Sequence, residues 1–349
     1  MTDPLLIETA DRVLSSVATF EAIEAAEAAR WSPLIWDAVA EIGLPWISVP
    51  EASGGVGGTI ADAIDVLVQA GRHAAPIPLA ETGLLGGWLL TAGGIDVGDG
   101  PLSVVPGHLD DDLRLEGGRL FGTAHRVPWA SSVERVAALL DGRIVVFSPA
   151  HGIITQVSNV AGEPRDTISF DDGQIEASVI APEGVDAQAL RLRGALSRAA
   201  LMAGALGAMV DLTVRYTAER QQFGKPVGSF QAVQTLLVRV AEEAVLVDLA
   251  VQVAAREAER GGGHFEIASA KLLANEAARL ATRAAHQAHG AMGATREYPL
   301  HLLSRRLWAW RAEYGDAFWP VHLGAAVLDR GPDELYRVIA EGSASGITL

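Results

Sequence analysis

Cysteine is absent from this chain of 349 residues, and basic residues are scarce. The missing thiols exclude disulfides, thiolate–zinc sites and thiol nucleophiles. Because 27 Lys and Arg stand against 43 Asp and Glu, the formal net charge is −16. A surface this acidic repels phosphate backbones, so we expect no nucleic-acid partner.

A clean membrane-spanning run and a secretory pattern are also missing. The long apolar segments, such as "LSRAALMAGALGAMVDL", are rich in Ala and Gly and are flanked by charged residues. They fall short of the roughly 20 apolar residues that a spanning helix needs. The N-terminal "MTDPLLIETADRV" has no positive region followed by an apolar stretch, as a secretory signal requires. We therefore expect a cytoplasmic protein without a membrane span.

Apolar residues are plentiful, at 49% of the chain, which is enough for a large core in two or three domains. Residues 1–98 have apolar positions at helical spacing, with Gly43 placed as a helix C-cap. Residues 99–186 contain short apolar runs separated by Gly, Asp, Asn and Pro, which is typical of antiparallel strands. Residues 187–349 return to helical spacing and predict a four-helix bundle. The predicted fold is mainly α, with a small antiparallel β-domain between two helical domains.

The segment "RQQFGKPVGSFQAVQ" interrupts two long predicted helices with a turn. Gly224 and Gly228 tolerate backbone conformations that other residues resist, and Pro226 fixes φ. The turn is therefore a rigid connection, and its spacing alone favours no more than that. A functional interpretation is that Arg220 and Gln231 are held at one end of the bundle, where a guanidinium and an amide can bind a pyrophosphate.

A second motif, "HQAHGAMGATREYP", follows a later predicted helix. Gly290 and Gly293 expose the backbone there, so that amides can approach a phosphate closely. A tight turn without function has the same glycines. The presence of both motifs in one bundle is better evidence for a nucleotide site than either motif alone.

Both motifs resemble signatures of the acyl-CoA dehydrogenases. "RQQFGKPVGSFQAVQ" looks like their Arg, Phe-Gly and Phe-Gln segment, and "QAHGAMGATREYP" resembles their glycine-rich loop followed by Glu-Tyr-Pro. "LPWISVPEASGGVGG" and "GRHAAPIPLAETGLL" resemble their N-terminal segments. The resemblance covers nearly the whole chain. It implies an N-terminal helical domain, a middle β-domain, a C-terminal four-helix bundle and an extended FAD bound across a subunit interface.

The resemblance also implies site residues. Carried over by position, Arg220, Phe223 and Gln231 would contact the ADP half of an FAD whose flavin ring lies mainly in the neighbouring subunit. The same half would be contacted by a set of residues at the second motif, namely Gln287, Gly290, Ala291 and Gly293.

The reaction implied by the resemblance is α,β-dehydrogenation of an acyl-CoA thioester. A carboxylate removes a proton from Cα, the hydride at Cβ passes to flavin N5, and the electrons leave to an electron-transferring flavoprotein. Hydrogen bonds to the thioester carbonyl stabilise the developing enolate, and desolvation raises the pKa of the base.

The chain departs from the family at the position of the base, which usually lies in a Glu-Gly-Thr context. The corresponding stretch is "RRLWAWRAEYGDAFW". Glu313 is the candidate base, but Tyr314 separates it from the following glycine. The alternative is that Glu313 pairs with Arg311 or Arg306 without a catalytic role. Some members place the base earlier in the chain, where this sequence has Ser197, which cannot serve.

The chain also departs from the family at the flavin-facing strand. Arg126 and Pro128 occupy the Trp and Thr positions of a Trp-Ile-Thr segment, and Trp129 is displaced and predicted to be core. The ADP-contacting half is therefore largely retained while the flavin-contacting half is degraded. This pattern resembles the short subunits of heteromeric α2β2 acyl-CoA dehydrogenases that act on steroid CoA thioesters, so we expect a second dehydrogenase chain as partner.

Three alternatives stay open at this point. The chain could form an active homo-oligomer with Glu313 as base, or act with oxygen as an oxidase-like or monooxygenase-like flavoenzyme. It could also be a non-enzymatic interaction protein on the same bundle. No metal site is predicted, because the pair His286 and His289 lacks a carboxylate ligand at helical spacing.

Overall fold

The computed structural model of the chain describes residues 4–328. The chain folds into two compact units. The first runs to Ser197 apart from Gly71–Ala74, and the second comprises Gly71–Ala74 together with the chain from Arg198 onwards.

Helices fill the N-terminal part of the first unit. The apolar spacing of residues 11–43 runs through three of them, because local caps divide the segment. The Thr19 side chain accepts a hydrogen bond from the Ala22 N–H, and Ser32, followed by proline, accepts one from the Ile35 N–H. The helices are α1 (Pro4–Val17), α2 (Phe20–Ala29), α3 (Pro33–Ala40), α4 (Ile60–Arg72) and α5 (Trp88–Ala92).

A buried π-helix, Ala80–Gly87, leads into α5. Its glycines permit very close packing. A Cβ atom on Gly83 would lie 2.3 Å from the Pro45 carbonyl oxygen, a distance that no side chain can occupy. The π-helix, which begins in the later part of the segment "GRHAAPIPLAETGLL", therefore has a packing role in this unit.

Two four-stranded sheets form the middle of the chain. The first has the strand order β1-β4-β5-β8 and the second β2-β3-β7-β6. Strand β1 pairs with β4 in parallel, whereas the other pairings within these two sheets are antiparallel. The strands are β1 (Leu102–Val104), β2 (Arg114–Glu116), β3 (Arg119–Pro128), β4 (Arg135–Leu140), β5 (Arg143–Phe147), β6 (Ile153–Thr155), β7 (Arg165–Gly173) and β8 (Ala177–Ile180).

The two sheets share one hydrophobic core. Buried residues from both sheets belong to it, including Leu120 and Val127 on β3 and Val145 on β5. Phe147 of the first sheet meets Phe170 of the second edge to face, with ring centroids 5.2 Å apart. This is the inter-sheet packing of a small sandwich.

The second unit is a helical bundle. Its alanines let the helices approach closely, and α8 alone buries Ala270, Ala274, Ala277 and Ala281 completely. A short hairpin, β9 (Gln221–Gln222) with β10 (Lys225–Pro226), separates the first two helices of the bundle. The helices are α6 (Ala187–Glu219), which belongs to this unit from Arg198 onwards, α7 (Gln231–Glu259), α8 (His264–His289), α9 (Leu300–Arg311) and α10 (Phe318–Leu328).

The predicted fold class is confirmed as a mainly helical chain with a small β-region. In the two sheets, the parallel β1–β4 pair differs from the predicted antiparallel pairing. Parallel strands need a long crossover connection, and the chain between β1 and β4, which contains β2 and β3, provides it. The division at residues 98 and 186 stays a prediction. Between residues 4 and 328, α6 is the helix long and apolar enough to cross a membrane, although its sequence was expected to fall short. Its most apolar window is 78% buried inside the protein, as in a core helix.

Candidate functional site

A two-residue hairpin loop forms the tip of the first motif. Phe223 and Gly224 have φ values of 53° and 80°, the left-handed conformation that a tight hairpin turn requires at both central positions. The Val227 N–H donates a hydrogen bond to the Arg220 carbonyl oxygen at 2.8 Å, which closes the hairpin at its base. The turn predicted between the two long helices is therefore present as this hairpin.

The polar and aromatic side chains of this motif lie on the surface of the unit. Arg220 and Gln231 are exposed, and Phe223 is 90% exposed at the hairpin tip. The Lys225 amine lies 4.3 Å from the centroid of the Phe230 ring, and this cation–π contact stiffens the hairpin.

The second motif begins where α8 ends. Gly290 has a φ of 58°, and no atom stands within 4 Å of the position that its Cβ would occupy. Gln287 and Ala291 are exposed, whereas Gly293 is buried against the Cβ of His289. The open approach to the backbone is therefore at Gly290 rather than at Gly293.

The bundle brings the two motifs to the same end. Tyr216, in the last turn of α6, stacks on His289, the last residue of α8, with centroids 4.5 Å apart. The Tyr216 hydroxyl donates to the His289 carbonyl oxygen at 3.2 Å. Because Arg220 follows Tyr216 by one turn and Gly290 follows His289 directly, a guanidinium and an open glycine backbone share one end of the unit.

Histidines at this end favour the neutral form. Burial lowers the pKa of His289 and of His286. His289 Nδ1 lies 2.8 Å from the Ala285 carbonyl oxygen and donates to it, which leaves Nε2 as the acceptor. Neither imidazole therefore supplies the positive charge that a diphosphate needs, whereas the exposed Arg220 guanidinium can supply it.

Glu313 lies in a different part of the unit, in the turn between α9 and α10. Its Oε2 accepts a hydrogen bond from Arg198 Nε at 2.6 Å, and the Arg198 side chain is only 1% exposed. The Arg198 guanidinium also lies over the Tyr314 ring, 5.2 Å from its centroid. The structure pairs Glu313 with Arg198, while Arg311 pairs with Asp316 at 3.1 Å. The buried guanidinium thus holds the Glu313 carboxylate by charge and by a hydrogen bond.

A buried lysine holds the turn in place. Lys271 Nζ donates to the Trp310 and Arg311 carbonyl oxygens at 2.9 and 3.0 Å and to Asn275 Oδ1 at 2.7 Å. Asn275 Nδ2 in turn donates to the Gly315 carbonyl oxygen. Burial lowers the pKa of Lys271 to about 7, with Glu313 opposing the shift and Arg198 adding to it. The lysine therefore caps the C-terminal carbonyls of α9 from a neighbouring helix.

The sequence analysis missed Arg198, Lys271 and Asn275. Arg198 lies inside an apolar run, and Lys271 and Asn275 are one turn apart in an alanine-rich segment. A charged residue on the apolar face of a predicted helix is the signal that could have identified them. Lys271 and Gln287 are 16 positions apart on α8, so at 1.5 Å per residue the turn lies about 24 Å from the end that carries Arg220.

The flavin-facing strand of the prediction is irregular in the first unit. The pairing of β3 with β7 shifts between Ala124 and Val127, and Arg126 has a φ of 56° in this bulge. Trp129 is buried, as expected, with the Arg165 guanidinium 4.7 Å from its ring centroid.

Comparison with known proteins gives consistent matches over this architecture. The model of the acyl-CoA dehydrogenase C-terminal domain matches residues 187–315. The acyl-CoA dehydrogenase IpdE2 of Mycolicibacterium smegmatis is 31% identical over 318 residues, covering 86% of this chain and 91% of that protein. Solved structures also share the fold of this chain.

Two solved structures share the fold. A chain of the ChsE4-ChsE5 complex from Mycobacterium tuberculosis superposes with a TM-score of 0.86 at 22% identity, covering 95% of this chain and 99% of that chain. A chain of the steroid ACAD Tcur3481-Tcur3483 superposes with a TM-score of 0.81 at 22% identity, covering 97% and 98%. At this identity the likeness is one of fold.

Proposed function

This chain belongs to the acyl-CoA dehydrogenase family of oxidoreductases, and we propose that it is a subunit that completes the FAD site of a catalytic partner chain. The assembly would dehydrogenate an acyl-CoA thioester at Cα and Cβ. FAD, the cofactor of this family, supplies the hydride acceptor when bound. The residues at the hairpin end of the bundle would bind and orient it.

The exposed end of the bundle supports the ADP-binding part of this proposal. A diphosphate needs a fixed cation and amide donors, and Arg220 stands on a hairpin whose loop and base are both constrained. Gln231 supplies a side-chain amide at the start of α7, and Gln287 supplies one near the end of α8. Gly290 leaves its backbone accessible to a phosphate group. These groups are exposed in the single chain, so they are available to a nucleotide held partly by another subunit.

The observation that carries the proposal is the ion pair between Glu313 and Arg198. The carboxylate nearest the family's base position is held by a guanidinium that is 1% exposed. A general base has to direct its carboxylate at the substrate proton, whereas this carboxylate is engaged by the Arg198 guanidinium. We therefore infer that Glu313 stabilises the turn and that proton abstraction takes place in the partner chain.

An apolar stripe on α7 supports contact with another subunit. Val238, Val245 and Leu249 are exposed although they are large and apolar. Their separations of seven and four residues place them on one face of the helix. The stripe and Gln231 lie on the same helix, with Gln231 at its first residue. A partner that covers the stripe and extends towards the start of α7 would therefore also reach the ADP-binding end.

The steroid-derived acyl group is proposed from similarity alone. One structural neighbour, Tcur3481-Tcur3483, is described as a steroid ACAD, that is, a steroid acyl-CoA dehydrogenase. Another is the ChsE4-ChsE5 complex, which contains two different chains. We propose the same substrate class and an α2β2 assembly for this chain, with an electron-transferring flavoprotein as acceptor. The cytoplasmic location stays a prediction.

Replacing Glu313 with glutamine tests the assignment of the base. In the assembly of this chain with its partner, we expect turnover per bound FAD to stay within about threefold of wild type, because glutamine keeps a hydrogen bond to Arg198. Loss of a true general base lowers the rate about 10²–10⁴-fold. Asp316→Asn, a carboxylate of the same turn, is the matched control. A fall beyond about 100-fold in Glu313→Gln alone would make Glu313 the base.

The absorbance spectrum of the purified chain tests the partner requirement. We expect little bound flavin in the chain expressed alone. We expect stoichiometric FAD when it is expressed together with a dehydrogenase chain encoded next to it in the genome. Stoichiometric FAD and acyl-CoA oxidation by the chain alone would establish an active homo-oligomer instead.

A further inference from the structure

Two histidines and one aspartate come together in the β-region, apart from the bundle sites. His108 and Asp111 lie in the segment between β1 and β2, and His125 lies on β3. One ligand atom from each of the three residues lies within 4.8 Å of the other two. Among residues 4–328 this is the group of His and carboxylate side chains with the spacing of a metal site.

The fold positions the aspartate from both sides. Asp111 Oδ2 accepts a hydrogen bond from the His108 N–H at 2.7 Å, and Oδ1 accepts one from the His125 N–H at 2.6 Å. The neighbouring Asp112 ties the same segment to β3, since its Oδ1 accepts from the Thr123 N–H at 2.6 Å. The carboxylate is thus held between two histidines before any ligand arrives.

The histidines are close to each other and to that carboxylate. His125 Nδ1 lies 3.3 Å from Asp111 Oδ1, and the two imidazole centroids are 5.9 Å apart. The bulge of β3 begins at His125, which removes it from the regular pairing with β7. The side chains of His108, Asp111 and His125 are 27%, 13% and 34% exposed, so an ion can reach them from solvent.

The surrounding charge favours a cation. Asp110, Asp111 and Asp112 are consecutive, and Asp110 Oδ2 lies 3.5 Å from His108 Nδ1. The backbone N–H of Asp110 donates to His108 Nδ1 at 3.2 Å. Since that nitrogen accepts a hydrogen bond, His108 has to release this contact or turn its ring to bind through the other nitrogen. Asp110 is exposed and can supply an oxygen as a fourth ligand.

We propose that His108, Asp111 and His125 form a binding site for a divalent transition-metal ion of the zinc class. Two imidazole nitrogens and one carboxylate oxygen suit Zn²⁺, Co²⁺ or Ni²⁺, whereas Mg²⁺ and Ca²⁺ prefer oxygen ligands throughout. Three protein ligands leave a coordination position for Asp110 or water. The ion would clamp the segment between β1 and β2 against the bulged strand. This proposal is independent of the acyl-CoA chemistry.

The spacing of these residues in the sequence does not indicate a metal site. The closest pair of histidines at helical spacing, His286 and His289, lacks a carboxylate partner. The new group combines a loop with a strand, and only the pairing of the loop with β3 brings His125 to residues 14 and 17 positions earlier in the chain.

Cobalt titration of the full-length chain tests the proposal. After treatment with EDTA, Co²⁺ is added and its visible d–d absorption is recorded, followed by displacement with Zn²⁺ and, separately, with Mg²⁺. We expect one equivalent of Co²⁺ to bind, Zn²⁺ to displace it, and equal Mg²⁺ to leave it in place. His108→Gln and His125→Gln should each lower Co²⁺ affinity at least about 30-fold, comparable to or larger than the effect of altering an outer-shell partner.

The control is His264→Gln, an exposed histidine at the start of α8, which should change the affinity less than about twofold. None of the substituted histidines is fully buried, and thermal unfolding in EDTA establishes that each variant is folded. Equal Co²⁺ binding by wild type and by the double variant His108→Gln/His125→Gln overturns the site. Displacement by Mg²⁺ as effective as by Zn²⁺ overturns the assigned class of ion.

Discussion

Lys271→Met is expected to lower the apparent Tm of the chain by roughly 5–10 °C at pH 7. The substitution leaves the Trp310 and Arg311 carbonyl oxygens and the Asn275 amide without their shared donor. Buried polar groups left unsatisfied cost about 1–3 kcal/mol each, and partial relaxation makes about 2–4 kcal/mol a reasonable total. In a unit of this size each kcal/mol corresponds to about 2–4 °C.

The loss of stability should depend on pH in a defined direction. The pKa of Lys271 is lowered to about 7 in the folded chain, whereas an unfolded lysine titrates near 10.4. Between these values the unfolded state binds more protons, so this lysine contributes stability that increases as pH rises. The Tm gap between wild type and Lys271→Met should therefore widen by several degrees between pH 7 and pH 9.

Arg279→Met is the matched control for both measurements. It lies on the same helix, is exposed, and pairs with Glu276 across one turn. Exposed pairs contribute little, so its Tm should stay within about 2 °C of wild type at each pH. A Lys271→Met chain that melts with the control would show that the carbonyls of α9 find other donors. A gap that stays constant with pH would show that the ammonium is retained.

Arg220→Glu is expected to remove FAD from the assembly without preventing the chains from associating. Losing a charge-assisted contact to a phosphate costs about 3 kcal/mol, and the reversed charge adds repulsion. Because 1.4 kcal/mol is tenfold, the affinity for FAD should fall at least about 100-fold. The measurements are the ratio of flavin to protein absorbance and a titration of the apo-assembly with FAD.

Arg256→Glu makes the same charge change in the last turn of α7, at the end remote from Gln231. It should leave flavin content unchanged, which separates the local contact from a general effect of net charge. Size-exclusion chromatography shows whether each assembly is intact. If intact Arg220→Glu assemblies retain the flavin of wild type, the hairpin does not bind the diphosphate, and the proposed role of this subunit fails with it.

Local patterns predicted most of the elements. The short apolar runs of residues 99–186, separated by Gly, Asp, Asn and Pro, predicted antiparallel strands there, and β1–β8 lie in this block. Gly224 and Pro226 predicted the turn between the two bundle helices, since glycine tolerates a positive φ and proline fixes φ.

The breaks in the N-terminal helices show where local patterns are ambiguous. The apolar spacing of residues 11–43 continues across Thr19 and Ser32, although both are good N-caps. An N-cap residue starts a new helix only if the chain that follows packs in a new direction. That packing depends on residues far away in the sequence. The sequence predicted helix there correctly without resolving its division into three.

By itself, then, the sequence determined the helical and strand-rich regions, the rigid hairpin and the family, all of which depend on neighbours within a few residues or on motifs. Tertiary structure alone decided the partner of Glu313, because Arg198 is 115 positions away and is brought near only by helix packing. The same holds for the cap that Lys271 provides and for the group of His108, Asp111 and His125. Side-chain chemistry between distant segments depends on distances of a few ångströms, and such distances exist only once the chain has folded.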